Sequence, residues 1–195
     1  MEQRVIELFH RSIEAKMSVG EALAPKLVAA SERCVAQLLA GGKLLCAGNG
    51  TGASLASTLC QNLMHPCRLE RPGFSAICLT ADSGLLSGIG DQHNFSEIFS
   101  LQVRTLAEPN DLLILFSSGE DPANLTQAIH AAHDRNINLI AFTGSGDTNL
   151  RSLLGAEDLN ISIDQSDVHR IQEIQLLSLF ALCDLIDEQL FGGIN

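Results

Sequence analysis

Apolar and polar positions divide the chain into two regions of different period. Up to residue 40 the apolar residues recur at helical spacing. Val5, Leu8, Phe9 and Ile13 share one face of a segment at residues 2–17. A second helical segment starts near Pro25 and carries Leu27, Val28, Cys34, Val35, Leu38 and Leu39, ending at Gly41-Gly42. The expectation is a helical hairpin over 1–42 ahead of a core over 43–195, all in one domain. From Lys43 onward, short apolar runs alternate with helical patterns. Strands are predicted at 44–47, 76–79, 111–116, 139–143 and 159–163. Helices are predicted at 53–64, 84–89, 95–105, 124–135 and 150–154, with a long last helix over 168–190. The strand runs are continuously apolar rather than alternating. That pattern belongs to a parallel sheet covered on both faces, an α/β arrangement.

The loops that follow the strands should gather at one edge of such a sheet, where ligands bind in open α/β folds. They are residues 48–54, 80–83, 117–122 and 143–147. The first, GNGTG, joins a buried strand to a helix N-terminus, a generic anion cradle of N–H groups and helix dipole. It is neither a P-loop nor a dinucleotide fingerprint, since no Lys follows and the glycine spacing differs. A tight turn without a ligand stays open as the alternative. The loop SSGED at 117–121 supplies the other hydroxyls and N–H groups.

Composition narrows the classes. A net charge of −11 argues against direct nucleic-acid binding and against an anionic membrane surface. No apolar run reaches spanning length and the N-terminus shows no signal-peptide pattern, which points to the cytoplasm. Cys34, Cys46, Cys60, Cys67, Cys78 and Cys183 form no CxxC pair and read as small core residues rather than a zinc site. His130 and His133 share a helix face without an evident partner. His169 precedes the last helix, where Asp167 is placed to cap.

Several stretches resemble the sugar isomerase (SIS) domain: GNGTGAS, ERPGFSAICL, a Ser-rich turn after NDLLILF, LIAFTGSGD, and RIQEI opening the last helix. The resemblance is to phosphoheptose isomerases in particular and covers nearly the whole chain. It implies a three-layer αβα sandwich on a five-stranded parallel sheet, a homotetramer, and a phosphosugar cleft. The residues implied to bind it are Asn49, Gly50, Thr51, Ser54, Ser117, Ser118 and Gln172. Of the four zinc and proton-transfer positions that the resemblance implies, one is kept as Gln172 and three are replaced by Thr58, Asn62 and Phe180, none of them a base near neutral pH. No catalytic residue and no metal or other cofactor is therefore expected. Glu120 and Asp121 put negative charge in the phosphate turn, Pro122 removes an N–H, and Gly52 stands where a Ser is usual.

The ending CDLIDEQLF and the GNGT turn resemble the DnaA initiator-associating proteins, isomerase folds reused as tetrameric scaffolds. This implies a non-catalytic scaffold that binds the replication initiator DnaA, with Leu190 and Phe191 as protein-binding anchors. Two alternatives stand beside it: a phosphoheptose isomerase acting on sedoheptulose 7-phosphate, and a phosphosugar-binding sensor.

Overall fold

The computed structural model describes residues 1–66 and 70–192. Its first element is one helix, α1 (Glu2–Leu39), and not the expected hairpin. Pro25 lies inside it. A proline removes one backbone hydrogen bond and crowds the carbonyl four residues back. Pro25 faces solvent, where water can take up that carbonyl. Meanwhile Ala15, Val19, Leu23, Leu27, Ala30 and Cys34 form a buried stripe that runs past it unbroken. Continuous burial on one face outweighs the local break.

Five strands follow: β1 (Leu44–Gly48), β2 (Ala76–Cys78), β3 (Leu112–Phe116), β4 (Asn138–Gly144) and β5 (Leu159–Ile163). All neighbours are parallel, in the order β2-β1-β3-β4-β5. The helices between and after them are α2 (Thr51–Met64), α3 (Ser83–Gln92), α4 (Ser100–Leu106), α5 (Ala123–Asp134), α6 (Thr148–Ser152) and α7 (Val168–Phe191). The predicted helix at 95–105 divides into a 3-10 turn, Phe95–Glu97, and α4. Ser100 stands at the division, its hydroxyl donating to the Glu97 carbonyl.

Alternate strand residues supply two cores. Leu44, Cys46, Leu112, Ile114 and Phe116 face α1, α2 and α7. Leu45, Ala47, Leu113 and Leu115 face α3, α4, α5 and α6. Both faces are apolar because both are covered, and each fully buried Leu or Ile contributes about 1.5–3 kcal/mol. Cys34, Cys46, Cys60 and Cys183 are buried and Cys78 is half-buried, as core residues should be. Burial pushes the Cys34 thiol up to about 12. Cys67 and Gly193 lie outside the described residues.

From β1 the chain crosses to β2 on one side and later to β3 on the other. In a parallel sheet this reversal opens a crevice beyond the C-terminal ends of β1 and β3.

Candidate functional site

The turns that leave β1 and β3 meet at that crevice. Gly50, at φ 52°, turns the chain into α2. Gly52 lies where the turns touch: a Cβ there would sit 2.7 Å from the Phe116 carbonyl oxygen. Only glycine allows that approach. The N–H groups of Gly52 and Ala53 donate to the Asn49 and Gly50 carbonyls at 2.7 and 3.1 Å, so the turn closes on itself. Its outward chemistry rests on Thr51 and Ser54, both exposed. The Asn49 side chain reaches across to α5. Its Nδ2 donates to Asn124 Oδ1 at 2.8 Å, and Asn124 Nδ2 returns a bond to Asn49 Oδ1 at 2.9 Å.

In the SSGED turn, Ser117 is buried and its hydroxyl donates to Asp147 Oδ1 at 2.6 Å. Gln175 Nε2 donates to the Ser117 carbonyl at 2.6 Å. Ser118 is half-buried, with its Oγ 3.5 Å from Gln172 Nε2. Ser118 and Gln172 thus face each other at the crevice, while the Ser117 hydroxyl is committed to the scaffold.

The charge expected to oppose a phosphate is arranged differently. Asp121 turns its carboxylate to the start of α6. It accepts from the Asn149 and Leu150 N–H groups at 3.0 and 2.8 Å and from the Thr148 hydroxyl at 3.3 Å. Burial pulls this carboxyl upward, but the donors outweigh it and hold it below its ordinary range. Glu120 is exposed to solvent. Asp147 reciprocates from the other loop. Fully buried, it accepts from Ser117 Oγ, from the Asp121 N–H at 3.1 Å and from the Gly144 N–H at 2.8 Å. Two aspartates thereby clasp the two loops together.

Beside the crevice, Ser54, Ser57, Thr58, Cys78 and Thr80 help line a cavity of about 440 Å³. Thr58 Oγ1 donates to the Ser54 carbonyl and Asn62 Nδ2 to the Thr58 carbonyl, each at 2.8 Å. Phe180 is half-exposed on α7. A hydroxyl, the carboxamides of Asn62 and Gln172 and a phenyl ring do not fit the zinc that the fold family implies. Among the described residues no group of three His, Cys, Asp or Glu side chains is arranged to hold a metal ion. His133 pairs with Asp158 at 2.7 Å, and the exposed His169 supplies the N–H that Asp167 caps at 2.9 Å.

Leu190 and Phe191 lie at the opposite end of α7, by the N-terminal edge of the sheet. Leu190 is half-buried and packs on the core beneath α1 and α7. Phe191 is half-exposed and stacks on Phe74, with ring centroids 6.1 Å apart. The Arg71 guanidinium lies 4.1 Å from the Phe74 ring centroid and donates to Asp187 at 2.6 Å. The structure therefore gathers Asn49, Gly50, Thr51, Ser54, Ser117, Ser118 and Gln172 at one edge and leaves the two anchor residues at the other. Asn124, Asp147 and Gln175 escaped the sequence reading. For Asp147 the signal was a Gly-Asp just before a helix; a lone Asn or Gln inside a helical pattern gives none.

The SIS domain profile matches residues 8–144. A phosphoheptose isomerase of Chromohalobacter salexigens is 40% identical over 192 residues, 98% of this chain and 98% of its own. One from Alkalilimnicola ehrlichii is 36% identical, with 97% of each chain covered. The structure of a phosphoheptose isomerase from Francisella tularensis has a TM-score of 0.92 at 32% identity, covering 95% of this chain and 97% of that one. These findings overturn the expected DnaA-binding scaffold of replication initiation, because relatives matching almost end to end carry the isomerase name. The CDLIDEQLF signature that suggested it is short, and packing accounts for its apolar residues: Leu190 meets the core and Phe191 meets Phe74.

Proposed function

This chain belongs to the SIS domain family and is phosphoheptose isomerase-like, and on that footing we propose that it binds a phosphorylated sugar at the crevice between β1 and β3. The observation that carries this reading is the disposition of Asp121. Its carboxylate caps α6, which takes one of the two acidic side chains of the turn away from an incoming phosphate. Thr51, Ser54, Ser118 and Gln172 supply hydroxyl and carboxamide groups suited to a phosphate and sugar hydroxyls. Asn49, Gly50 and Ser117 shape the turns.

A second reading, isomerisation of sedoheptulose 7-phosphate, is favoured by the names of the relatives at 36–40% identity. Moving a proton between adjacent carbons requires a positioned base, and Thr58, Asn62 and Phe180 offer none. Binding without conversion is the reading the side chains favour. Calorimetric titration with sedoheptulose 7-phosphate, together with a product assay on protein free of host isomerase and with and without zinc, tests both. Binding without product supports the first reading and zinc-independent or zinc-dependent turnover the second. Absence of binding at millimolar sugar phosphate overturns both.

We further propose a homotetramer in the cytoplasm. Val5, Phe9, Ile13 and Met17 leave an exposed apolar stripe on α1, and Leu176, Leu177 and Phe180 another on α7. Faces of this kind call for a partner surface. Among the described residues, no helix is long and apolar enough to cross a membrane. Light scattering at micromolar concentration should give four times the protomer mass of 20.9 kDa, and a monomer mass refutes the assembly.

A further inference from the structure

We infer that Asn124 is a positioning residue, which holds the GNGTG turn in place by pairing with Asn49 across the crevice. The inference rests on the phosphosugar reading for its functional consequence, but its geometry stands independently. Asn49 follows β1, and Asn124 is the second residue of α5, after β3. The strand order reverses between these two strands. The two carboxamides exchange both of their bonds, at 2.8 and 2.9 Å. Each side chain uses one donor and one acceptor on the other, a closed pair that fixes the orientation of both amides. Asn124 is only 2% exposed, so water does not compete for it.

The consequence reaches the ligand-facing groups. The Asn49 carbonyl accepts the Gly52 N–H, and the Gly50 carbonyl accepts those of Ala53 and Ser54. Fixing Asn49 therefore fixes the start of α2, including the hydroxyls of Thr51 and Ser54. The Asn49 side chain is thereby committed to Asn124, and the turn meets a ligand through the hydroxyls of Thr51 and Ser54. The other anion-facing turn is anchored separately, by Asp147 and Gln175. Asn124 is the side chain that joins the first turn to the helix following the second.

The test uses Asn124→Ala, Asn49→Ala and the double variant of the full chain. Ile129→Val, a core change on the same helix, serves as a control that leaves the pair intact. Two measurements are made: hydrogen exchange of the amides at residues 52–54, and affinity for sedoheptulose 7-phosphate. Each single variant should speed exchange at those amides and weaken affinity by roughly tenfold, the loss expected for a buried hydrogen-bonded pair. The double variant should lose little more than either single one, because both remove the same unit. The control should leave local exchange and affinity at wild-type values, whatever it does to melting. Unchanged exchange at residues 52–54 in Asn124→Ala, or additive losses in the double variant, overturns the inference. If the wild-type chain binds no sugar phosphate, the functional reading fails by itself, and the exchange measurement still decides the role of Asn124.

Discussion

Replacing Asp147 with alanine removes the acceptor for three donors at once. The Ser117 hydroxyl, the Asp121 N–H and the Gly144 N–H all end on this one carboxylate, which is fully buried. A hydrogen bond to a charged group contributes about 1.5–3 kcal/mol, and leaving a buried donor unpaired costs about 1–3 kcal/mol. The Ser117 hydroxyl can rotate to another partner, but the two N–H groups are held by backbone. The loss should therefore be about 3–5 kcal/mol. For a chain of this length each kcal/mol moves the melting temperature by about 2–4 °C, so a fall of about 10 °C is expected. Asp147→Asn retains one oxygen and should cost about half as much. Its oxygen can serve Ser117 and Asp121 while its NH2 opposes the Gly144 N–H. Thermal unfolding followed by circular dichroism checks this, at one fixed protomer concentration, since self-association would make melting concentration-dependent. A loss below about 1 kcal/mol for the alanine variant, or equal losses for both, would show that the carboxylate is not the hub of the two loops.

Three further outcomes follow from the same geometry. Gly52→Ala forces a Cβ to within 2.7 Å of the Phe116 carbonyl oxygen and should destabilise by about 1–3 kcal/mol, read by urea unfolding, since overpacking in a tight site costs that much. Asp121, whose carboxyl is held below its ordinary value of 3.8 by the donors at the start of α6, contributes stability that is fully present above that value and fades as pH falls through the lower folded one. Asp121→Asn should accordingly melt with a shallower pH dependence than wild type below pH 4 and the same dependence above pH 5, and identical acid limbs would count against its role as the cap of α6. Phe191→Ala loses the stack on Phe74 and should cost about 1 kcal/mol, with sugar-phosphate affinity unchanged because the residue lies at the far edge of the sheet; a parallel loss of affinity would link the two ends.

The layers of the fold were legible because they are set by burial, which leaves a periodic trace. Five continuous apolar runs became five parallel strands, with ends shifted by no more than a residue or so. The hairpin failed for an equally physical reason. Pro25 is a strong local signal, but a solvent-facing proline does not break a helix whose opposite face, from Ala15 to Cys34, is buried throughout. Local chemistry alone overstated the break, and the side of the helix on which the proline falls decides it.

The site was legible as a set of turns and not as a set of contacts. Glycine-rich punctuation after β1 and β3 located both turns, since close backbone approach demands glycine there. What each polar side chain does in those turns depends on partners far away in sequence. Asp121 reads as a charge against phosphate until Leu150 and Asn149 are found to hold it. Ser117 reads as a ligand donor until Asp147, thirty positions on, is found to take its proton-donating bond. Asn124 carries no motif at all, yet its pair with Asn49 spans the crevice. The hydrophobic pattern therefore determines where a ligand can sit, while long-range hydrogen bonds decide which hydroxyls remain to meet it. By that division Thr51, Ser54 and Ser118 are the groups whose substitution should change ligand affinity most directly. Ser117, Asn124 and Asp147 should act through the shape of the turns.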